Sequence, residues 1–136
     1  MHSPTAPIPT VAGAVSGAPR LLLRLEGLGV LALVVLLYQR GGHSWMLFAG
    51  LLLVPDLSLL GYLAGPRVGA VAYNLAHSYV GPIIAAAAAL LTGRPPVVAL
   101  LWAAHIGMDR AVGYGLKYPG AFEDTHLGRL RGRSRS

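Results

Sequence analysis

A chain of 136 residues that is 54% hydrophobic and 12% charged, with a mean hydropathy of +0.59, is too apolar for an ordinary soluble domain and reads as an integral membrane protein. The absence of cysteine excludes disulfides, thiolate metal sites, iron–sulfur clusters and c-type haem, so any metal has to be held by His, Asp, Glu or backbone oxygen. A formal charge of +6 contributed by arginines around apolar runs points to membrane lipids as partners, not to nucleic acid.

Residues 1–19 are rich in Pro, Ala, Ser and Gly and hold no Lys, Arg, Asp or Glu, which predicts a disordered tail. Arg20 and Arg24 arrive only as the first apolar run begins, so that run reads as a retained anchor and not a cleaved signal peptide. A bilayer core about 30 Å thick takes roughly 20 apolar residues per helix. The chain offers four such stretches, 21–38, 44–64, 67–91 and 97–118, separated by Gly41-Gly42, Gly65-Pro66 and Gly93-Arg94-Pro95-Pro96. Gly61, Gly65 and Gly69 have the spacing of a helix-association motif, but Gly65-Pro66 assigns them to a turn. Loops this short force antiparallel neighbours. The expected fold is therefore all-α, an up-down-up-down four-helix transmembrane bundle over 20–118 with a polar C-terminal tail, 119–136. Only Arg40 and Arg94 lie on one side of it, and all other Lys and Arg lie on the side with both termini, which the positive-inside rule makes cytoplasmic.

Each predicted helix carries an ionisable residue at membrane depth: Glu26, then Asp56, then His77 with Tyr73 and Asn74, then His105 and Asp109. At a rise of about 1.5 Å per residue they lie roughly 8 to 20 Å from the cytoplasmic helix ends and converge on one layer. Such residues are costly in a bilayer and face the bundle interior, where they serve function. His105 and Asp109 are i and i+4, as are Tyr73 and His77, so each pair shares a helix face. Pro55 and Pro82 place kinks beside Asp56 and His77.

Imidazoles facing carboxylates suit a divalent metal, zinc- or iron-like, with Asp56, His77, His105, Asp109 and Glu26 as candidate ligands. The Glu-x-x-His pair of di-iron bundles is missing, its nearest equivalent being His105-x-x-x-Asp109, so a single zinc-like site is at least as compatible. Arg110, on another face from Asp109, together with Tyr73 and Asn74, is a candidate for substrate binding. In the tail, Asp124, Thr125 and His126 exceed what an orientation signal needs. Folded back over the bundle, His126 is a candidate ligand or general acid–base group, a role also open to Glu26.

The segment from His105 through Asp109-Arg110, Gly113-Tyr114-Gly115-Leu116-Lys117-Tyr118 and Thr125-His126-Leu127-Gly128, with Glu26-Gly27, Pro55-Asp56 and Tyr73-Asn74-x-x-His77, resembles a family of small bacterial four-helix membrane proteins known as domain of unknown function 4260. The resemblance implies the four-span architecture and a bacterial source, hence a multi-pass protein of the inner (plasma) membrane, and assigns no activity. The pairing of a His–Asp helix with a later Thr-His is also similar to small membrane proteins described as metal-dependent hydrolases. The leading expectation is accordingly a metal-dependent membrane hydrolase acting on a lipid-like substrate from the cytoplasmic side. The alternatives are a proton-coupled transporter or ion-conducting oligomer, which would require at least a homodimer, and a b-type haem protein with His77 and His105 as axial ligands or an accessory subunit of a membrane complex.

Overall fold

The computed structural model describes residues 11–120 and 122–129. They are mostly helical: α1 (Gly17–Arg40), α2 (Trp45–Leu51), a 3₁₀ segment (Val54–Ala64), α3 (Pro66–Ala76), α4 (Val80–Leu91) and α5 (Val97–Val112), then a small antiparallel hairpin of β1 (Asp124–Thr125) and β2 (Gly128–Arg129). α1 and the continuous run Trp45–Ala64 are long and apolar enough to cross a membrane, and α3 with α4, bent by 41°, forms a third such span when the pair is counted as one. Leu33, Leu57, Leu75, Ile83 and Leu90 are more than half exposed, an apolar coat suited to lipid.

The structure departs from the expected helices in four places, each with a local cause. α1 begins at Gly17, ahead of residue 21, because residues just before it are tied down: Val15 N–H donates to the His126 carbonyl at 2.8 Å and the Tyr118 hydroxyl to the Gly13 carbonyl at 2.9 Å. The expected disordered tail is shortened accordingly, and residues 1–10 lie outside the described residues. The second helix changes pitch near Pro55, which has no N–H to donate, and Asp56 N–H bonds the Leu53 carbonyl at 3.0 Å in the tighter 3₁₀ pattern. The third breaks across His77, Ser78 and Tyr79, where Pro82 leaves the Ser78 carbonyl without its helical donor. The fourth stops at Gly113, whose φ of +98° lets Tyr114 N–H reach back to the Asp109 carbonyl at 2.7 Å. At 16 residues α5 reaches about 24 Å, short of a full span.

α5 is nonetheless the centre of the molecule, with half of its residues buried under α1 and α4. The α1–α5 crossing is a close approach of small residues. A Cβ on Gly107 would meet the Gly27 carbonyl at 2.8 Å, and one on Gly27 would strike the Arg110 side chain. Across the next corner, Gly65 turns the chain with φ +115° while Gly61 packs on Ala72 and Gly69 under the Tyr62 ring. The Gly61, Gly65, Gly69 series thus makes both a turn and a helix contact.

The α1–α5 crossing makes a direct prediction. Gly107→Leu forces the helices apart and lowers stability by about 1–3 kcal/mol or more, whereas Gly29→Ala, with nothing within 4 Å of its Cβ, is neutral or stabilising. Thermal unfolding in detergent separates the two, and equal melting temperatures would refute this account of the crossing.

Candidate metal centre

The site is assembled at the irregular points of three elements. Asp56 sits in the first turn of the 3₁₀ segment, His77 caps the broken end of α3, and His105 and Asp109 lie one turn apart on α5. His77 Nε2 is 3.1 Å from His105 Nε2, 3.3 Å from Asp56 Oδ1 and 3.5 Å from Asp109 Oδ2. His105 Nε2 lies 3.3 Å from Asp56 Oδ1 and 3.4 Å from Asp109 Oδ2. One ligand atom from each of the four residues lies within 4.8 Å of all the others. A tetrahedral ion with bonds of about 2.0–2.1 Å has ligand–ligand edges of about 3.3–3.4 Å, and five measured edges fall around that value. The cluster can therefore hold a metal ion. The same crowding leaves no plane for a porphyrin between the two imidazoles, which removes the axial-haem arrangement.

The donor set supports this reading. His77 Nδ1 faces the Tyr73 carbonyl at 2.9 Å, and because a carbonyl only accepts, the neutral ring carries its proton on Nδ1 and turns the Nε2 lone pair toward the cluster. The Tyr73 ring stacks on His77 with centroids 3.7 Å apart and planes 8° apart, and its hydroxyl reaches Asp109 Oδ2 at 3.5 Å. His105 is fully buried, and its Nδ1 has no hydrogen-bond partner. Two imidazole nitrogens and two carboxylates crowded at these distances call for a shared proton or a cation between them.

Arg110 holds the frame. It donates to the His77 carbonyl at 2.9 Å and to the Tyr114 carbonyl at 3.0 Å, so it satisfies backbone freed by the break after α3 and ties it to the chain leaving α5. Asn74 likewise trades two bonds with Lys117, receiving its N–H at 2.6 Å and donating to its carbonyl at 2.8 Å. Of the three residues expected to bind substrate, only Tyr73 lines the cleft described next, while Arg110 and Asn74 are occupied with backbone.

A cleft of about 400 Å³ opens against the cluster, with Asp56, Asp109 and Tyr73 at its base and Tyr114, Lys117 and Phe122 among its walls. In a helix of about three residues per turn, Asp56, Leu59 and Tyr62 fall on one line, and the first two of them line the cleft. Asp56 is the open member of the cluster, its side chain 41% exposed against 9% for Asp109. Lys117 Nζ donates to the Phe122 carbonyl at 2.9 Å and lies 3.7 Å from the Phe122 ring centroid, and burial holds its pKa below the usual lysine value. Lys117, Tyr114 and Phe122 carried no site role in the sequence. The signal available was Gly113, which as a left-handed cap ends α5 early and releases them from helical register.

Two candidate residues are not brought into the cluster. Glu26 is exposed on α1. His126 sits in the hairpin, where its Nδ1 accepts the Leu116 N–H at 2.8 Å and its own N–H donates to the Leu116 carbonyl at 3.0 Å. Around it Thr125 and Leu127 are fully buried, so residues 122–129, expected as a polar tail, form a packed cap joined to the segment before α1.

The family model described as Domain of unknown function (DUF4260) matches residues 20–130, and the chain belongs to that family. No curated protein and no solved structure matches it.

Burial, reinforced by the charge of Arg110, holds the His126 pKa below the ordinary value of 6.5. The unfolded chain then binds the proton more readily than the folded one, so the hairpin's stability is complete above about pH 6.5 and is lost as the pH falls toward the lowered folded value. Protonation of Nδ1 also removes the acceptor of the Leu116 N–H. Hydrogen exchange at the Leu116 and His126 amides should accelerate on acidification beyond the intrinsic pH trend, and His126→Asn should abolish that dependence. Unchanged protection from pH 8 to 5 would refute it.

Proposed function

We propose that this DUF4260 member is a metal-dependent membrane hydrolase that holds a single divalent ion, zinc-like in its donor preference, at His77, His105 and Asp109, with Asp56 at the fourth corner. The carrying observation is the set of five near-tetrahedral edges at the floor of an open cleft. Three buried protein ligands, with a fourth corner held by a partly exposed carboxylate that can yield it to water, match the arrangement of catalytic zinc sites, whereas structural sites are closed. A bound divalent ion supplies Lewis-acid polarisation of a substrate oxygen and lowers the pKa of water at the site.

The chain's own residues divide the remaining work. Asp56, the most exposed of the four, accepts the proton of the attacking water. Tyr73, stacked on His77 and within reach of Asp109, fixes the imidazole and presents a hydroxyl to the cleft. Lys117, poised on the cleft wall, faces developing negative charge. In this reading α1, the Trp45–Ala64 run and the bent α3–α4 pair cross the bilayer, α5 passes through its interior, and the cleft opens on the side that carries the hairpin, which the arginine distribution makes cytoplasmic.

Metal analysis of detergent-purified protein tests the proposal. Wild type should carry one divalent ion per chain, His77→Ala and His105→Ala should lose it, and Glu26→Gln and His126→Ala should keep it. Asp56→Asn should retain most of the metal but reduce turnover of a hydrolysed lipid, found by mass spectrometry of membrane lipid extracts, by about 10²–10⁴-fold. A well-folded protein that takes up no divalent ion even after supplementation would refute the proposal and leave the cluster as a proton relay, which a liposome flux assay on Asp56→Asn would report.

A further inference from the structure

On the other side of the cluster from the cleft lies a second cavity of about 280 Å³, bounded by Leu51, Val54, Pro55, Ala76, Leu101 and Trp102, and its wall is entirely apolar. The one polar atom of these side chains, Trp102 Nε1, donates to the Ala76 carbonyl at 2.5 Å and leaves no unmet donor in the groove. Val54 at its edge is 47% exposed on the apolar surface of the protein.

The two cavities and the cluster follow one order along α5 and along the Trp45–Ala64 run. Along α5, Leu101 and Trp102 precede His105, and Asp109 follows at the cleft; all lie at helical spacing, so groove, ligands and cleft share a stripe. Along the run that returns to the hairpin side, Val54 and Pro55 line the groove, Asp56 the cluster and Leu59 the cleft. α3 runs the opposite way, with Tyr73 lining the cleft and Ala76 the groove, and His77, one residue past Ala76, is turned back toward the cleft side by its Nδ1 contact with the Tyr73 carbonyl at 2.9 Å and its stacking on the Tyr73 ring. An ion at the cluster therefore stands at the junction between a polar compartment and an apolar one.

We infer that the site takes an acyl amphiphile lengthwise, with its chain in the groove, its carbonyl at the ion and its polar head in the cleft beside Lys117 and Glu123. This rests on the metal-hydrolase reading and names its substrate class: a lipid-like ester or amide whose scissile bond joins the acyl chain to the head. Water adds to the acyl carbon, the bond from that carbon to the head oxygen or nitrogen breaks, and the water oxygen remains in the released carboxylate, while one of its protons leaves on the head group and the other is taken up by solvent or by an amine head. The Lys117 and Glu123 pair makes the cleft a place for a polar head of little net charge, while the groove admits apolar chain alone.

Alkyl hydroxamates, from acetohydroxamate to laurohydroxamate, reproduce a metal-seeking carbonyl on a chain of variable length and serve as probes. The chain has two tryptophans, so Trp45→Phe leaves Trp102 as the sole reporter. On metal-loaded protein at one detergent concentration, affinity should rise by up to about fourfold per methylene until the groove is full and then level off. A bromine at the chain end should quench Trp102. The same Trp45→Phe protein carrying His105→Ala sees the same micellar probe and corrects for partition. Val54→Phe, at the exposed rim, and Ala76→Phe, deeper in, should each bring the plateau to shorter chains, so a folding failure of one variant leaves the other to decide. If acetohydroxamate binds the metal but lengthening the chain adds nothing beyond the His105→Ala reference, the amphiphile is refuted and the metal site stands. If no metal is bound, both fall together.

Discussion

Two imidazole Nε2 atoms 3.1 Å apart, each 3.3 to 3.5 Å from two carboxylates, form an arrangement that calls for a proton or a cation at its centre, and the rest of the structure acts to hold it in place. No regular helix pair would present all four. Asp56 needs the change of pitch at Pro55, and His77 needs the break that follows α3. Each irregularity leaves backbone groups to satisfy, and the same residues that shape the site satisfy them: the Tyr73 carbonyl is taken by His77, and the His77 carbonyl by Arg110. In lipid an unmet carbonyl costs several kcal/mol, so the site's position is set by where such partners exist.

Arg110 shows how one buried charge serves several purposes. Its side chain bridges the end of α3 and the segment after α5, close behind the cluster, and its own Cβ lies where α1 packs on Gly27. A cation in this place also offsets the charge of Asp109, making a buried anionic cluster less costly. Lys117 extends the same logic to the rim, with its backbone held by Asn74 and its ammonium directed to the Phe122 carbonyl.

The C-terminal segment turns the helical frame into a cleft. Because Gly113 ends α5 early, residues 114–120 and 122–129 fold across the end of the helices, place Lys117 and Phe122 on the cleft wall and bury Thr125 and Leu127. His126 contributes by holding the Leu116 amide. A polar cleft on one side of the cluster and an apolar groove on the other give the site a direction, and that direction follows the path of α5.

The sequence by itself determined the apolar character of the chain, the apolar stretches of its helices, the family, and five candidate ligands that include the four of the cluster. Charged groups in an apolar run are costly enough to stand out, and i, i+4 spacing already puts His105 and Asp109 on one face. What it left open was decided by contacts between distant segments. Glu26 falls in the same half of the membrane as the others, but α1 meets α5 through Gly27, and depth alone does not say which face a neighbour covers. Arg110 and Asn74 have the chemistry of substrate binders, and only the broken backbone opposite each shows that their hydrogen bonds are already taken. His126 resembles a ligand in composition, yet the hairpin register turns its Nδ1 to Leu116. The kink at Pro55 was legible in a single residue, whereas the fourth helix was expected to run to residue 118 and Gly113 ends it at Val112. Their consequence, a cleft and a groove stacked about one cluster, exists only once three segments of different direction are packed together.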